Sequence, residues 1–310
     1  MILISEDDSG MRLDRFLRSL LPTIKLSRIQ QALRLGEIRV NKRRCKPSTR
    51  INTADQLRLP PQFVSALSEN QTKKHVDSIS VVCIETHIPI IYRDEGIIVV
   101  DKPSGIACHG GSGTSFGVIE TMRKLTNEDK LELVHRIDKE TSGIVVLARK
   151  RSVLRELHKQ LREDSVDKQY LAIVYGVWNP KRTKIELPLF KFENEQKVHK
   201  VIVSKRGKPS TTHVHLIKQN NGFSLVRVKP KTGRTHQIRV HLASAGNPIV
   251  GDSRYAKFIN NRELLKNTRD KKMNRMFLHA NKIGFIHPLS NKHINFVSEM
   301  PQIFSKLIFN

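Results

Sequence analysis

The sequence predicts an α+β fold, a small N-terminal unit followed by a larger one, and three observations predict it. Apolar residues recur at helical spacing twice within the first 40 positions and then give way to short strands. Further on, most apolar runs are short and bounded by turn residues, with a hairpin signal at Asn220-Asn221-Gly222. Helical segments are scattered among these strands and do not alternate with them in regular βαβ units, so the larger sheet is expected to be mixed and largely antiparallel.

In the N-terminal unit, Leu13, Phe16, Leu17, Leu20 and Leu21 share one helical face, and Pro22 is expected to stop the helix. A second helix starts near Ser27 and carries Ile29, Ala32 and Leu33. Gly36 stands where a left-handed C-cap would be, ahead of a short strand at Ile38–Val40, a turn at Asn41 and another strand through Leu57 and Leu59. Residues Pro60–Asp77 are polar with little apolar periodicity and are read as a linker, giving domains over 1–75 and 76–310.

The charge is more informative than the composition. Fifty-five Lys and Arg against 29 Asp and Glu give a net +26 over 310 residues, which points to a polyanionic partner. Because the excess is spread through a chain of helices and strands, nucleic acid fits better than a membrane surface. The first 75 residues hold 15 Lys and Arg against 7 Asp and Glu, so most of the excess lies beyond them and both domains are expected to face the nucleic acid. Arg39, Lys42, Arg43, Arg44, Lys46 and Arg50 fall within a stretch that contains no acid and are candidate phosphate contacts. No apolar run approaches the roughly 20 residues of a membrane span, and Glu6, Asp7 and Asp8 stand where a secretion signal would be basic and then apolar, so a cytoplasmic location is expected. Cys45, Cys83 and Cys108 lie at unrelated spacings and are read as reduced packing residues.

The larger unit opens with β-rich runs at Ile79–Ile84, Ile88–Tyr92 and Ile97–Val100, the last leading into Asp101-Lys102-Pro103-Ser104-Gly105. Glycines cluster from Gly105 to Gly113, but no Lys-Ser/Thr pair follows and no dinucleotide fingerprint is present. A nucleoside triphosphate site is therefore not expected, and the segment reads as a loop bordering a nucleic-acid cleft. Helical spacing returns at Val118–Leu125 and at Leu154, Leu157 and Leu161. Strands are expected at Lys168–Val174, Val198–Val203, Val214–Ile217 and Leu225–Val228, with a closing hairpin from Phe277 to Phe296.

Three segments carry chemistry. His135-Arg136-Ile137-Asp138 places one carboxylate between an arginine and a tight turn, ahead of a buried-looking run at Ile144–Leu147. Lys168-Gln169-Tyr170 opens a strand whose tyrosine, on sequence alone, serves equally as a core residue or a site residue. In Gly233-Arg234-Thr235-His236-Gln237-Ile238-Arg239, Ile238 and Leu242 lie four apart and can anchor a helix, with Arg239 a quarter-turn round from Ile238; the bland alternative for Arg239 is a surface phosphate contact. His236 and His241 are five apart, off the step that aligns two ligands on a helix, and no HExxH or paired CxxC exists, so no metal site is expected.

These motifs resemble those of the RluA-type family of RNA pseudouridine synthases, and the first 60 residues resemble the αL RNA-binding domain named after ribosomal protein S-four. The resemblance implies an isomerase that rotates a flipped uridine base without a redox or metal cofactor. It makes Asp138 the nucleophile, Arg239 its cationic neighbour, Tyr170 the stacking partner of the target uracil and Arg136 a residue that holds the flipped state. Arg136, His135 and Arg234 have phosphate anchoring as their alternative reading, and for Arg234 the two stay open. The implied partner is 23S ribosomal RNA, free or in an assembling large subunit, with several uridines modified, no obligatory protein partner and a monomeric enzyme. The rival is a noncatalytic RNA-binding or ribosome-assembly protein, against which the intact Asp138, Tyr170 and Arg239 count.

Overall fold

The computed structural model describes residues 1–21, 23–73, 88–110, 116–193, 199–220, 222–256 and 275–309. The chain divides into two compact units, Met1–His87 and Ile88–Asn310. The expected boundary near residue 75, the strand at Ile79–Ile84, Pro22 and Cys83 lie outside the described residues.

In the first unit, β1 (Ile2–Leu3), α1 (Leu13–Leu20), α2 (Leu26–Leu35), β2 (Arg39–Val40), β3 (Arg43–Arg44), β4 (Gln56–Arg58) and α3 (Pro61–Lys73) follow in order. The sheet order is β1-β4-β2-β3, antiparallel throughout. Leu13, Phe16 and Leu17 of α1 and Ile29, Ala32 and Leu33 of α2 pack with Ile38, Ile51 and Leu57, which is the face their helical spacing dictates. α2 ends at Gly36, whose φ of 75° lets its N–H reach the carbonyls of Ala32 and Leu33. Asn41 and Lys42, with φ of 49° and 65°, make the tight turn between β2 and β3.

The expected linker is corrected. Pro61–Lys73 is helical, because Pro61 suits a first helical turn and Phe63 and Leu67, four apart, pack onto the N-terminal core. Two apolar residues in a polar stretch suffice when a core already exists for them to join.

The second unit contains β5 (Ile90–Arg93), β6 (Ile97–Lys102), α4 (Val118–Thr126), β7 (Glu132–Leu133), β8 (Ser142–Ala148), α5 (Arg151–Arg162), β9 (Asp167–Tyr175), β10 (Lys184–Glu186), β11 (Leu189–Glu193) and β12 (His199–Val203). It continues with β13 (Thr211–Asn220), β14 (Phe223–Pro230), α6 (Gln237–Ser244), β15 (Leu278–Ile286), β16 (His293–Val297) and α7 (Gln302–Phe309). Ten strands form one sheet along the path β10-β13-β14-β9-β15-β8-β6-β5, with β16 on β15 and β7 on β8. Only β15–β8 is parallel among the described pairs. A separate hairpin, β11–β12, lies outside that sheet.

Strand alternation explains the layers. Ile98 and Val100 of β6 and Val145 and Leu147 of β8 join Val118, Ile119 and Met122 of α4 on one face. Ile97, Val99, Ile144, Val146 and Ala148 join Val153, Leu154 and Leu157 of α5 on the other. β8, covered on both faces, is buried along its whole length. At its start Gly143 has a φ of 109°, and a side chain there would run into the backbone of Ala280 on β15. That close approach fixes where the chain leaves the Asp138 turn and enters the sheet.

Leu147 is fully buried, so Leu147→Ala is expected to lower stability by about 2–5 kcal/mol. Chemical denaturation checks this; a loss under about 1 kcal/mol would mean that the central strand is not packed as described.

Candidate active site

The segment from His135 to Thr141 joins β7 to β8 and is neither helix nor strand, so its backbone has to be held by other groups. The His135 ring Nε2 accepts the Val146 N–H at 3.2 Å, and burial lowers its pKa to about 4, leaving a neutral imidazole. His135 is thus a packing residue and not a phosphate anchor. The Cys108 thiol bonds the Ile137 carbonyl at 3.3 Å and accepts its N–H at 3.4 Å, while burial pushes that thiol's pKa up. Lys102 is fully buried, and its ammonium donates to the carbonyls of Pro103, Ile106 and Lys139 at 2.9, 2.6 and 2.9 Å. The Ser104 hydroxyl donates to the Glu140 carbonyl, the Gly105 N–H to that of Lys139 and the Thr141 N–H to that of Asp138. Residues 102–108 therefore form a cradle beneath the Asp138 turn.

Asp138 stands on this turn with its side chain 28% exposed, and its Oδ2 accepts Arg239 Nη1 at 2.9 Å. Along α6, Gln237 to Leu242 are all buried, so Arg239 is no surface phosphate contact. Its Nε and Nη2 both donate to Asp252 at 2.8 Å, and the Asp252 side chain is fully buried. Burial works against the Arg239 cation, yet the two carboxylates hold its pKa above the usual value. Burial likewise opposes the Asp252 anion, but Arg239 and the N–H groups of Arg254 and Tyr255 hold that carboxyl below its usual range.

His236 opens α6 in a left-handed conformation, φ 52°. Its Nδ1 shares a hydrogen bond with the Tyr255 hydroxyl at 2.9 Å and its Nε2 is 3.9 Å from Asp138 Oδ2. Burial lowers its pKa, with the Asp138 charge acting the other way. The Tyr255 ring also lies under the Arg239 guanidinium at 5.2 Å. Tyr170, half-buried on β9, sits in register with Val228 and Ala280. Burial and the Asp138 charge raise its phenol, so it stays neutral, and among the described residues its hydroxyl makes no hydrogen bond.

The structure thus joins Asp138 and Arg239 directly and places Tyr170 within the field of Asp138. Arg136 is exposed and has no side-chain partner among the described residues. Arg234 is exposed, its Nε 3.4 Å from the Pro209 carbonyl. In the first unit Lys42, Arg43, Arg44 and Lys46 are exposed, whereas Arg39 donates to the Gly36 carbonyl and Arg50 to that of Gly10. The glycine-rich segment after His109 is described only as far as Gly110, whose N–H donates to Glu120. His241 is packed between Thr212 and Ser210.

A family model described as RNA pseudouridylate synthase matches residues 96–244, and an S4 domain model matches residues 11–57. Ribosomal large subunit pseudouridine synthase C of Buchnera aphidicola subsp. Schizaphis graminum is 42% identical over 99% of this chain and 96% of its own length. The protein of the same name from Escherichia coli strain K12 is 43% identical over 93% and 89%. The chain belongs to the RNA pseudouridine synthases. A solved structure of human RNA pseudouridylate synthase domain containing 4 shares the synthase fold, with a TM-score of 0.56 at 24% identity over 70% of this chain and 90% of that one.

Sequence reasoning missed several groups around the Asp138–Arg239 pair of this synthase. Asp252 and Tyr255 lie in Gly251-Asp252-Ser253-Arg254-Tyr255, where an acid-and-tyrosine cluster after the arginine helix was the available signal. Lys102 had no signal beyond its place at the end of an apolar strand, where a buried lysine is the exception. No described helix is long and apolar enough to cross a membrane.

Because the folded pKa of His135 is depressed to about 4 from 6.5, the unfolded chain binds the extra proton first. Its contribution is present above pH 6.5 and is lost as the pH falls toward 4, on the order of 3 kcal/mol. Unfolding free energies measured across that window are expected to fall for the wild type and to be flatter for His135→Gln; identical slopes would contradict a neutral, hydrogen-bonded His135.

Proposed function

We propose that this synthase isomerises uridines in 23S RNA of the large ribosomal subunit, free or during assembly in the cytoplasm, with Asp138 as nucleophile. The observation that carries this reading is the 2.9 Å pair between a part-exposed Asp138 and a buried Arg239. A flipped base excludes water from the carboxylate and so favours its neutral acid; a guanidinium that water cannot reach favours the anion where the reaction needs it. The near-full-length relatives named for the large ribosomal subunit support the choice of RNA.

The reaction breaks the bond between ribose C1′ and uracil N1, joins C1′ to C5, and moves the C5 proton off so that N1 is left protonated. No atom is gained or lost. The carboxylate opens the sequence whether it engages the anomeric carbon, the uracil ring or a ribose proton. Among the described residues its Oδ1 accepts no hydrogen bond, so it is the oxygen free to do so. Tyr170 offers a flat neutral face on which the uracil rests while unlinked, and an uncommitted hydroxyl that can relay a proton. Arg136, unpaired and two residues before Asp138, supports the flipped state. The exposed Lys42, Arg43, Arg44 and Lys46 contact phosphates.

Carbodiimide mapping of pseudouridine in 23S RNA treated with each protein tests the reading. The wild type is expected to leave marks at discrete uridines, and Asp138→Asn none while still binding the RNA. Tyr170→Phe keeps the stacking face and should retain RNA affinity, with a slower single-turnover rate if the hydroxyl relays the proton. Marks made equally by Asp138→Asn would overturn the nucleophile, and no marks from the wild type on free RNA or immature particles would overturn the substrate.

A further inference from the structure

Arg239 is not alone beside Asp138. The His236 Nε2 lies 3.9 Å from Asp138 Oδ2, beyond hydrogen-bond range, and among the described residues it makes no hydrogen bond. Its side chain is 15% exposed and is carried by a left-handed backbone, a conformation unfavourable to a residue with a side chain and concentrated at functional sites. Two neighbours decide which ring nitrogen holds the proton. Burial raises the Tyr255 phenol, with the Val201 N–H acting the other way on its oxygen. A phenol oxygen approached by that N–H turns its own hydrogen to its other neighbour, so Tyr255 donates to His236 Nδ1 at 2.9 Å. The Asp138 anion facing Nε2 favours a proton on that nitrogen as well. Burial, Arg239 and Arg254 disfavour a second proton, so the ring is a neutral imidazole with its Nε2–H directed at the Asp138 site.

We propose that His236 is a further catalytic residue: its Nε2–H donates to O2 of the flipped uracil and stabilises the base as it leaves the ribose. O2 stands on the carbon next to N1 and is the carbonyl nearest the bond that breaks beside Asp138. When that bond breaks, its electron pair passes to N1 and is shared with O2 and O4. The hydrogen bond strengthens as this charge grows, so it favours the separated base over the bound uridine. The proton stays on Nε2, and a neutral imidazole suffices for this task. Arg239 cannot take it over, because its Nε, Nη1 and Nη2 already donate to carboxylates. The proposal rests on the reading that the target uridine is flipped beside Asp138.

His236→Asn tests it. Asparagine tolerates the left-handed backbone, and its amide oxygen can accept the Tyr255 hydroxyl in place of Nδ1, while Nε2 is lost. Single-turnover rates are measured for the wild type and the variant on 23S transcripts made with uridine or with 2-thiouridine, whose sulfur at position 2 is a poor hydrogen-bond acceptor. On uridine the variant is expected to be slower by on the order of 10²-fold with RNA affinity unchanged. On 2-thiouridine the gap between the two proteins should shrink to less than about 10-fold, because the bond is already missing there. Equal slowing on both transcripts is what a structural role predicts, and it overturns the proposal. Should His236→Asn fail to fold, nitrogen-15 imidazole spectra of the wild type decide. A protonated Nε2 with a bare Nδ1 is expected at neutral pH, and the opposite tautomer overturns the proposal. Activity in Asp138→Asn would overturn the nucleophile reading instead, so the two failures are distinguishable.

Discussion

The buried guanidinium of Arg239 is the constraint to which the rest of the catalytic unit answers. A cation taken from water is costly unless it is paired and hydrogen-bonded, and leaving a buried pair half-broken costs about 3–5 kcal/mol. Arg239 meets that demand only if α6, the Asp138 turn and the Asp252 turn arrive together. The sheet topology makes the meeting possible. β8 leaves the Asp138 turn and enters the sheet beside β15, which β9 flanks on the other side, and Gly143 lets the two backbones come close enough for the parallel contact. Fold and site are coupled through that junction more than through total burial.

A turn without secondary structure would ordinarily be too loose to hold a carboxylate in one place. Here the turn is supported from below by groups that are themselves buried, and the support is made of side chain to backbone bonds. Lys102 spans two segments by donating to carbonyls on both, and the Cys108 thiol serves as donor and acceptor to one residue. Such an arrangement permits a carboxylate to be exposed enough for substrate while its own backbone is fixed. Burial also lowers the Lys102 ammonium to about 8, so the cradle is a charged support without the full basicity of a surface lysine.

Patterns that repeat within a few residues were legible in the sequence, and pairings across the chain were not. The apolar runs Ile97–Val100 and Ile144–Leu147 gave strands that the structure places side by side, and Gly36 capped its helix as its position demanded. The hairpin signal around Asn220 and Gly222 joins two long antiparallel strands. The short strands β10 and β11 and the C-terminal helix α7 were missed, since they owe their conformation to what they pack on. The same reason turned the supposed linker into α3. At the site, Asp138, Tyr170 and Arg239 were legible because a motif surrounds each of them. Asp252 was not, because its meaning appears only when Arg239 is seen facing two acids.

The molecule keeps two kinds of arginine and lysine apart, and the separation has a physical reason. Lys42, Arg43, Arg44 and Arg136 are exposed, where salt screens a charge within about 10 Å at 0.1 M. The attraction of such surface cations to an anion is therefore short-ranged and adjustable by salt. Arg239 is almost wholly enclosed and unscreened, so its single bond to Asp138 does not depend on the ionic strength outside. Were Arg239 exposed, every change in the surrounding salt would change its hold on Asp138 as well. By burying one guanidinium and balancing it with Asp252, the fold shields the Asp138–Arg239 pair from the salt that acts on its exposed cations.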